Sequence, residues 1–272
     1  MRTARLLALA FLTAAPLAGQ MTAAEHIAAG DSLRHELRSA EALRHYQMAL
    51  ELQPTSYEAN WKTAREIADV AKQLLGDADS IKDRRDSLFT LGRSYAEAAI
   101  RIDSTNAEGH FTLALNVGRL ARTKGGKAKV RLGKIVYDEA VRAIQLDSLH
   151  DGAYHILGMW NDEVMNLSGF MKFFAKALFG GGFLSNASWD HARANMERAV
   201  ALRPNHVYHN LELATVYLDI GETALARQHL QQAESLPIGD PMDPHYKQLA
   251  TAALAALRAN KIGDAKDILH KG

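Results

Sequence analysis

Ala199-Val200-Ala201-Leu202-Arg203-Pro204 is the fourth occurrence of a phrase that returns along this chain in one register. The earlier copies are Ala49-Leu50-Glu51-Leu52-Gln53-Pro54, Ala99-Ile100-Arg101-Ile102-Asp103-Ser104 and Ala143-Ile144-Gln145-Leu146-Asp147-Ser148, and a shortened fifth is Ala233-Glu234-Ser235-Leu236-Pro237. Each begins with a small residue that lets two helices approach closely. Apolar residues follow one and three places later, and a Pro or Ser then ends the helix. A phrase of this kind marks the second helix of successive helical hairpins stacked side by side.

The opening alanines are 50, 44, 56 and 34 residues apart. A tetratricopeptide repeat has two helices and a period of 34 residues, so the last interval is unmodified and the others carry 16, 10 and 22 extra residues. Within the unmodified interval Ala192, Met196 and Ala199 recur 34 places later as Ala226, Leu230 and Ala233, with Leu213, Ala214, Tyr217 and Gly221 in the helix between. Tyr154, Leu157 and Gly158 correspond to Asn210, Leu213 and Ala214, so the 22 extra residues fall between Gly158 and Ala192. Longer helices or an added element must absorb them. Thr22-Ala23-Ala24-Glu25 has the form of a capping box, and Gly76 and Gly221 stand where helices should stop. Asp243 and Pro244 read as the N-cap and first-turn proline of a last helix reaching about Asn260. The expected fold is all-α, a tetratricopeptide-like right-handed solenoid of about five helical hairpins with insertions plus a C-terminal helix, eleven or so helices in all, and one domain over 21–272.

Composition agrees. Of 272 residues 47% are hydrophobic and only 7% aromatic, with six prolines, which suits a chain with a large helical core. Lys and Arg number 32 against 31 Asp and Glu, so no net field recommends nucleic acid as a partner. The chain has no cysteine, which excludes disulfides, thiolate metal sites and a cysteine nucleophile. Arg2 and Arg5 precede an apolar run from Leu6 to Ala18, the pattern of a secretory signal peptide over residues 1–20. The expectation is an exported, periplasmic protein; an uncleaved inner-membrane anchor is the alternative, disfavoured because the run is shorter than the ~20 residues that span a bilayer.

Tyr154-His155-Ile156-Leu157-Gly158-Met159-Trp160, Lys176-Ala177-Leu178-Phe179-Gly180, Trp189-Asp190-His191-Ala192 and Asn210-Leu211-Glu212-Leu213-Ala214, together with the 199–204 phrase, resemble the regulator of microtubule dynamics family, whose members carry a tetratricopeptide-like domain. The resemblance covers most of the mature chain, most specifically Asp151 to Pro237. It implies a non-enzymatic all-α scaffold with a long insertion in one hairpin. The eukaryotic members' association with microtubules and organelle membranes does not follow for an exported bacterial chain.

By register, the concave face of such a stack presents His155, Met159, Asp162 and Glu163 in one repeat and Tyr208, Thr215 and Asp219 in the next. These are the expected partner-binding residues, and Asp162, Glu163 and Asp219 would form an acidic floor for a basic peptide. The insertion from Glu163 to Leu184 places Phe170, Phe173, Phe174 and Ala177 on one helix face. That face either caps the stack or forms a hydrophobic docking patch for a partner helix or a membrane surface. A carrier of a small apolar or lipid ligand beneath 163–184 is the alternative function.

The run Arg119, Arg122, Lys124, Lys127, Lys129, Arg131 and Lys134, broken by Gly125 and Gly126, reads as a solvated basic connection between two long helices, with an acidic partner or anionic headgroups as the alternative. Among twelve histidines, His206 with His209 and His150 with His155 are the nearest pairs. None belongs to an HExxH helix and no acidic companions stand at ligand spacing, so neither a metal nor a cofactor is expected. Gly92-Arg93-Ser94 lacks the second glycine and preceding strand of a nucleophile elbow. The function expected is a protein-interaction scaffold or adaptor of the cell envelope.

Overall fold

A computed structural model describes residues 21–179 and 184–271. The leader over 1–20, and Gly180 and Phe183 of the insertion, lie outside the described residues. Every regular element among those described is a helix. First and second helices alternate: α1 (Ala23–His35) with α2 (Ser39–Leu52), α3 (Tyr57–Lys72) with α4 (Asp79–Ile102), and α5 (Ala107–Arg122) with α6 (Gly126–Leu146). In the fourth pair α7 (Asp151–Met165) packs on α9 (Trp189–Leu202), with α8 (Gly169–Phe179) inserted between them and resting on α6. Then follow α10 (Val207–Asp219) with α11 (Thr223–Ser235), and α12 (Asp243–Arg258) with α13 (Ile262–Lys271). The solenoid expected from the phrase is present with one addition: the C-terminal helix has a short partner, α13, which carries no copy of the phrase.

The extra residues are absorbed in both of the ways open to them. Helices α4 and α6 run to 24 and 21 residues where α2 and α9 have 14 each, and α8 occupies the third insertion. All five phrase-opening alanines are fully buried. The amide four residues on closes each helix onto the alanine carbonyl, Gln53 to Ala49, Asp103 to Ala99, Asp147 to Ala143 and Arg203 to Ala199, at 2.8–3.0 Å. Three residues further along, Ser56, Asn106, His150 and His206 cap the next helix by accepting a backbone N–H. Asn60 and Asn210 each donate back to two carbonyls of the turn before their helix, at 2.8–3.1 Å. One cassette thus ends a helix, reverses the chain and caps the next, and in the Asn60 and Asn210 copies a side-chain amide also bonds two of the turn carbonyls.

Close packing explains the small residues. A Cβ on Gly158 would lie 2.6 Å from Met196 Cγ and 3.1 Å from the Met196 backbone nitrogen, so α7 and α9 approach too closely there for any side chain. A Cβ on Gly30 would enter the ring of fully buried Tyr46. Ala199 is 0% exposed on the same helix as Met196, and Ala199→Leu is expected to destabilise the fold by about 1 to 3 kcal/mol through overpacking. A melting temperature equal to or above that of the wild type would contradict this placement.

The capping box at Thr22 is complete, with Glu25 N donating to Thr22 Oγ1 at 3.2 Å and Thr22 N to Glu25 Oε2 at 2.7 Å. Gly76 and Gly221 adopt φ of 118° and 85°, a conformation that favours glycine. At Asp243 the reading shifts by one residue. Met242 is the N-cap, and the Asp243 carboxylate accepts from the Gly239 and Asp240 amides of the preceding loop, both at 2.8 Å, with Pro244 in the first turn. No helix among the described residues is long and apolar enough to cross a membrane.

Candidate functional site

The first helices line a concavity of about 280 Å³. Arg34 from α1, Arg65, Asp69 and Lys72 from α3, Arg119 and Arg122 from α5, His155, Met159 and Glu163 from α7, Tyr208 and His209 from α10, and Tyr246 from α12 all face it. The stack therefore curls far enough for its two ends to share one wall. Lys72 Nζ lies 4.0 Å from Asp240 Oδ2 in the loop before α12, and Arg119 Nη2 donates to the Tyr208 hydroxyl at 3.1 Å. Tyr208 stacks on Tyr246 with centroids 4.4 Å apart.

Most charges in this concavity are paired. Asp69, 5% exposed, accepts from Arg34 at 2.8 Å and holds Lys72 at 2.7 Å. Burial would raise the Asp69 carboxyl, but Lys72 and Arg34 outweigh it and hold the group far below the usual carboxylate range. Burial likewise opposes the Lys72 charge, and Asp69 and Asp240 overcome it, raising the ammonium well above its ordinary value. Glu66 adds a second carboxylate to Arg34. Glu163 stands 3.6 Å from both Arg122 Nε and Lys129 Nζ, and Arg203 is 3.8 Å from Asp151. Arg119 differs: among the described residues no carboxylate lies within 4.0 Å of it, and its guanidinium instead rests over the Tyr208 ring at 5.4 Å. Burial disfavours its charge, yet the fields of Tyr208, Tyr246 and Glu212 keep it protonated.

Four histidines gather at one end. His209 Nε2 donates to Asp151 Oδ2 at 2.9 Å, which leaves its Nδ1 to accept from His155 Nδ1–H at 2.9 Å. His206 packs against His209 with centroids 4.0 Å apart and planes tilted by 30°, while its Nδ1 caps α10. His150 caps α7 in the same way and lies 3.8 Å from Glu108. Burial first, then the positive fields of His209 and its neighbours, lower the imidazoles of His155 and His206, the latter to about 2. The hydroxyl groups that the described lining residues bring to the concavity are those of Tyr208 and Tyr246.

The residues expected on the concave face divide into two groups. His155, Met159, Glu163 and Tyr208 line it. Asp162, Thr215 and Asp219 do not. Thr215 is 2% exposed and donates to Leu211 O at 3.2 Å; Asp162, 1% exposed, meets Asp219 under α13. The acidic floor is therefore not assembled: two of its three carboxylates are covered by a helix that register on α7 and α10 does not reveal, and the third is neutralised by Arg122 and Lys129. Phe173 is 67% exposed on α8; the side chains of Phe170 and Phe174 lie outside the described residues. The basic run is not one solvated connection either, because Arg119 and Arg122 turn into the concavity while Lys124 pairs with Asp86. Their spacing from Phe111, Leu115 and Gly118 on one face of α5 is the signal that marks them.

Residues 26–258 match the family described as Regulator of microtubule dynamics protein 1-3. Regulator of microtubule dynamics protein 1 of Bos taurus is 27% identical over 222 residues, covering 81% of this chain and 67% of its own length. Regulator of microtubule dynamics protein 3 of Xenopus laevis is 29% identical over 178 residues, 65% of this chain but 37% of its own. The chain thus spans two thirds of one relative and little over a third of the other. Among solved structures, a thermophilic TPR protein of Thermus thermophilus superposes with a TM-score of 0.60 at 17% identity, covering 86% of this chain and 99% of that one. That likeness speaks for the tetratricopeptide-like fold.

Proposed function

Because the chain belongs to the regulator of microtubule dynamics protein 1-3 family, we propose that it is a non-enzymatic adaptor whose concave face receives an acidic segment of a protein partner. The observation that carries the reading is Arg119, a guanidinium held in the concavity by Tyr208 with no carboxylate within 4.0 Å among the described residues, while its cationic neighbours Arg34, Lys72, Arg122 and Arg203 all have one. Its remaining N–H donors suit a carboxylate, which a planar guanidinium can bind through two parallel hydrogen bonds. The tyrosine and ion-pair framework fixes the site before the partner arrives and so reduces the ordering cost of association. The proposed setting is the periplasm of a bacterial envelope, supported by the basic-then-apolar pattern from Arg2 to Ala18 and the cysteine-free composition. Microtubule dynamics stays with the relatives that carry the name.

Selection of random peptides by display against the chain tests the proposal. Asp and Glu are expected to be enriched, and Arg119→Gln is expected to weaken the selected peptides by ten-fold or more, as loss of a charged hydrogen bond worth about 1.5 to 3 kcal/mol implies. Enrichment of Lys and Arg, or affinity unchanged in Arg119→Gln, would overturn it. Recovery of an apolar ligand by native mass spectrometry with no peptide selected would favour the carrier instead.

A further inference from the structure

Away from the concavity, Asp162 of α7, Asp219 of α10 and His270 of α13 each bring a ligand atom within 4.8 Å of the others. The sequence hides this meeting, since the three positions are 57 and 51 residues apart and come from three separate helical pairs. Asp219 is well provided for: its Oδ2 accepts from Asn166 Nδ2 at 3.0 Å and from His270 Nε2 at 2.9 Å, and its Oδ1 faces Lys266 Nζ at 3.2 Å. Asp162 is not. It is 1% exposed, and among the described residues one carboxyl oxygen meets no hydrogen-bond donor while the other meets only Asn166 Nδ2 at 3.5 Å. Ionised and buried beside a second carboxylate, such a group is costly unless a proton or a cation joins the pair, and the geometry leaves an oxygen facing no donor for a cation to use.

We propose that Asp162, Asp219 and His270 bind a divalent transition-metal ion of the zinc class, fastening α13 to α7 and α10. The donor set, one imidazole nitrogen and two carboxylate oxygens, is that of zinc and its neighbours; calcium and magnesium prefer oxygen alone. Asn166, one turn after Asp162 and already in contact with both carboxylates, can present its amide oxygen as a fourth ligand by a flip of the amide plane. Lys266 keeps its place on the Asp219 oxygen that does not face His270. The ligands link the last helix to the body of the stack, where a bound ion closes a long loop.

Calorimetric titration of zinc chloride into the full chain, after dialysis against EDTA and then buffer, tests the site. One ion per chain is expected, together with a higher melting temperature in zinc. Asp162→Asn and His270→Gln should each weaken binding at least 30-fold and remove the thermal shift, and His209→Gln, in the groove cluster, should change neither. His270 is on a part-exposed terminal helix, so its variant reads the site even if Asp162→Asn folds poorly. Cobalt chloride should give visible d–d absorption in the wild type that His270→Gln lacks. No saturable binding, binding unchanged in both site variants, or binding abolished by His209→Gln would each overturn the proposal.

Discussion

Asp69→Asn lowers the free energy of unfolding by about 3 to 5 kcal/mol, the range found when one member of a buried ion pair is removed. The carboxylate is the common partner of two cations: Lys72, whose side chain is 13% exposed, at 2.7 Å and Arg34 at 2.8 Å. Asparagine matches the shape and removes the charge. Arg34 then retains Glu66, but Lys72 is left with Asp240 at 4.0 Å. The larger cost therefore falls on a lysine that is mostly buried and whose remaining counter-ion is 4.0 Å away. Urea denaturation monitored by helical circular dichroism measures the change, and a loss below about 1 kcal/mol would mean that water replaces the carboxylate. The double variant Asp69→Leu with Lys72→Met should recover much of the loss, because an apolar pair of similar volume avoids the desolvation of both charges.

Mild acid should also weaken the fold, through histidines kept neutral in the groove. His155 and His206 are depressed below 6.5 by burial and by the positive field around them. As pH falls through 6.5 the unfolded chain takes up protons that the folded chain refuses, so stability drops with a slope of about 1.4 kcal/mol per pH unit for each group. Between pH 6.5 and 5 that amounts to about 2 kcal/mol per histidine. Three others work in the opposite sense. His110 beside Glu139, His150 despite its burial beside Glu108, and His270 beside Asp219 are raised, and their contribution is fully present at low pH and lost as pH rises through their folded values. The assignable quantity is therefore the difference between chains: in His155→Gln with His206→Asn, which retains a capping side chain at 206, urea midpoints should fall less from pH 7 to 5 than in the wild type. Parallel falls in the two chains would rule out these imidazoles as the source.

Much of the scaffold is legible in the sequence because its rule is local. Ala49, Ala99, Ala143, Ala199 and Ala233 lie at helix contacts, and every one is buried, since a close crossing admits only a small side chain whatever else surrounds it. The capping is half legible. Ser56 and Asn106 are ordinary caps, while His150 and His206 fill the same place with an imidazole nitrogen, a role that residue type does not announce. Helix α13 is hidden because it is short and carries no copy of the phrase. Without it, register alone sends Asp162 and Asp219 to the concave face, although α13 covers them. Arg119 is obscured for the same reason at longer range: nothing in the sequence near α5 tells how far the stack curls, and that curl brings α5 against Tyr208 of α10. Features set by neighbours within one hairpin can be read; those set by the return of a distant hairpin cannot.

In most solenoids each repeat touches only the next, so they peel open from their termini one unit at a time. Here Lys72 reaches Asp240 and Arg119 reaches Tyr208 across intervening repeats. Loosening the last pair thus also strips counter-charge from the second, and the chain should come apart as a whole, with its groove either complete or lost.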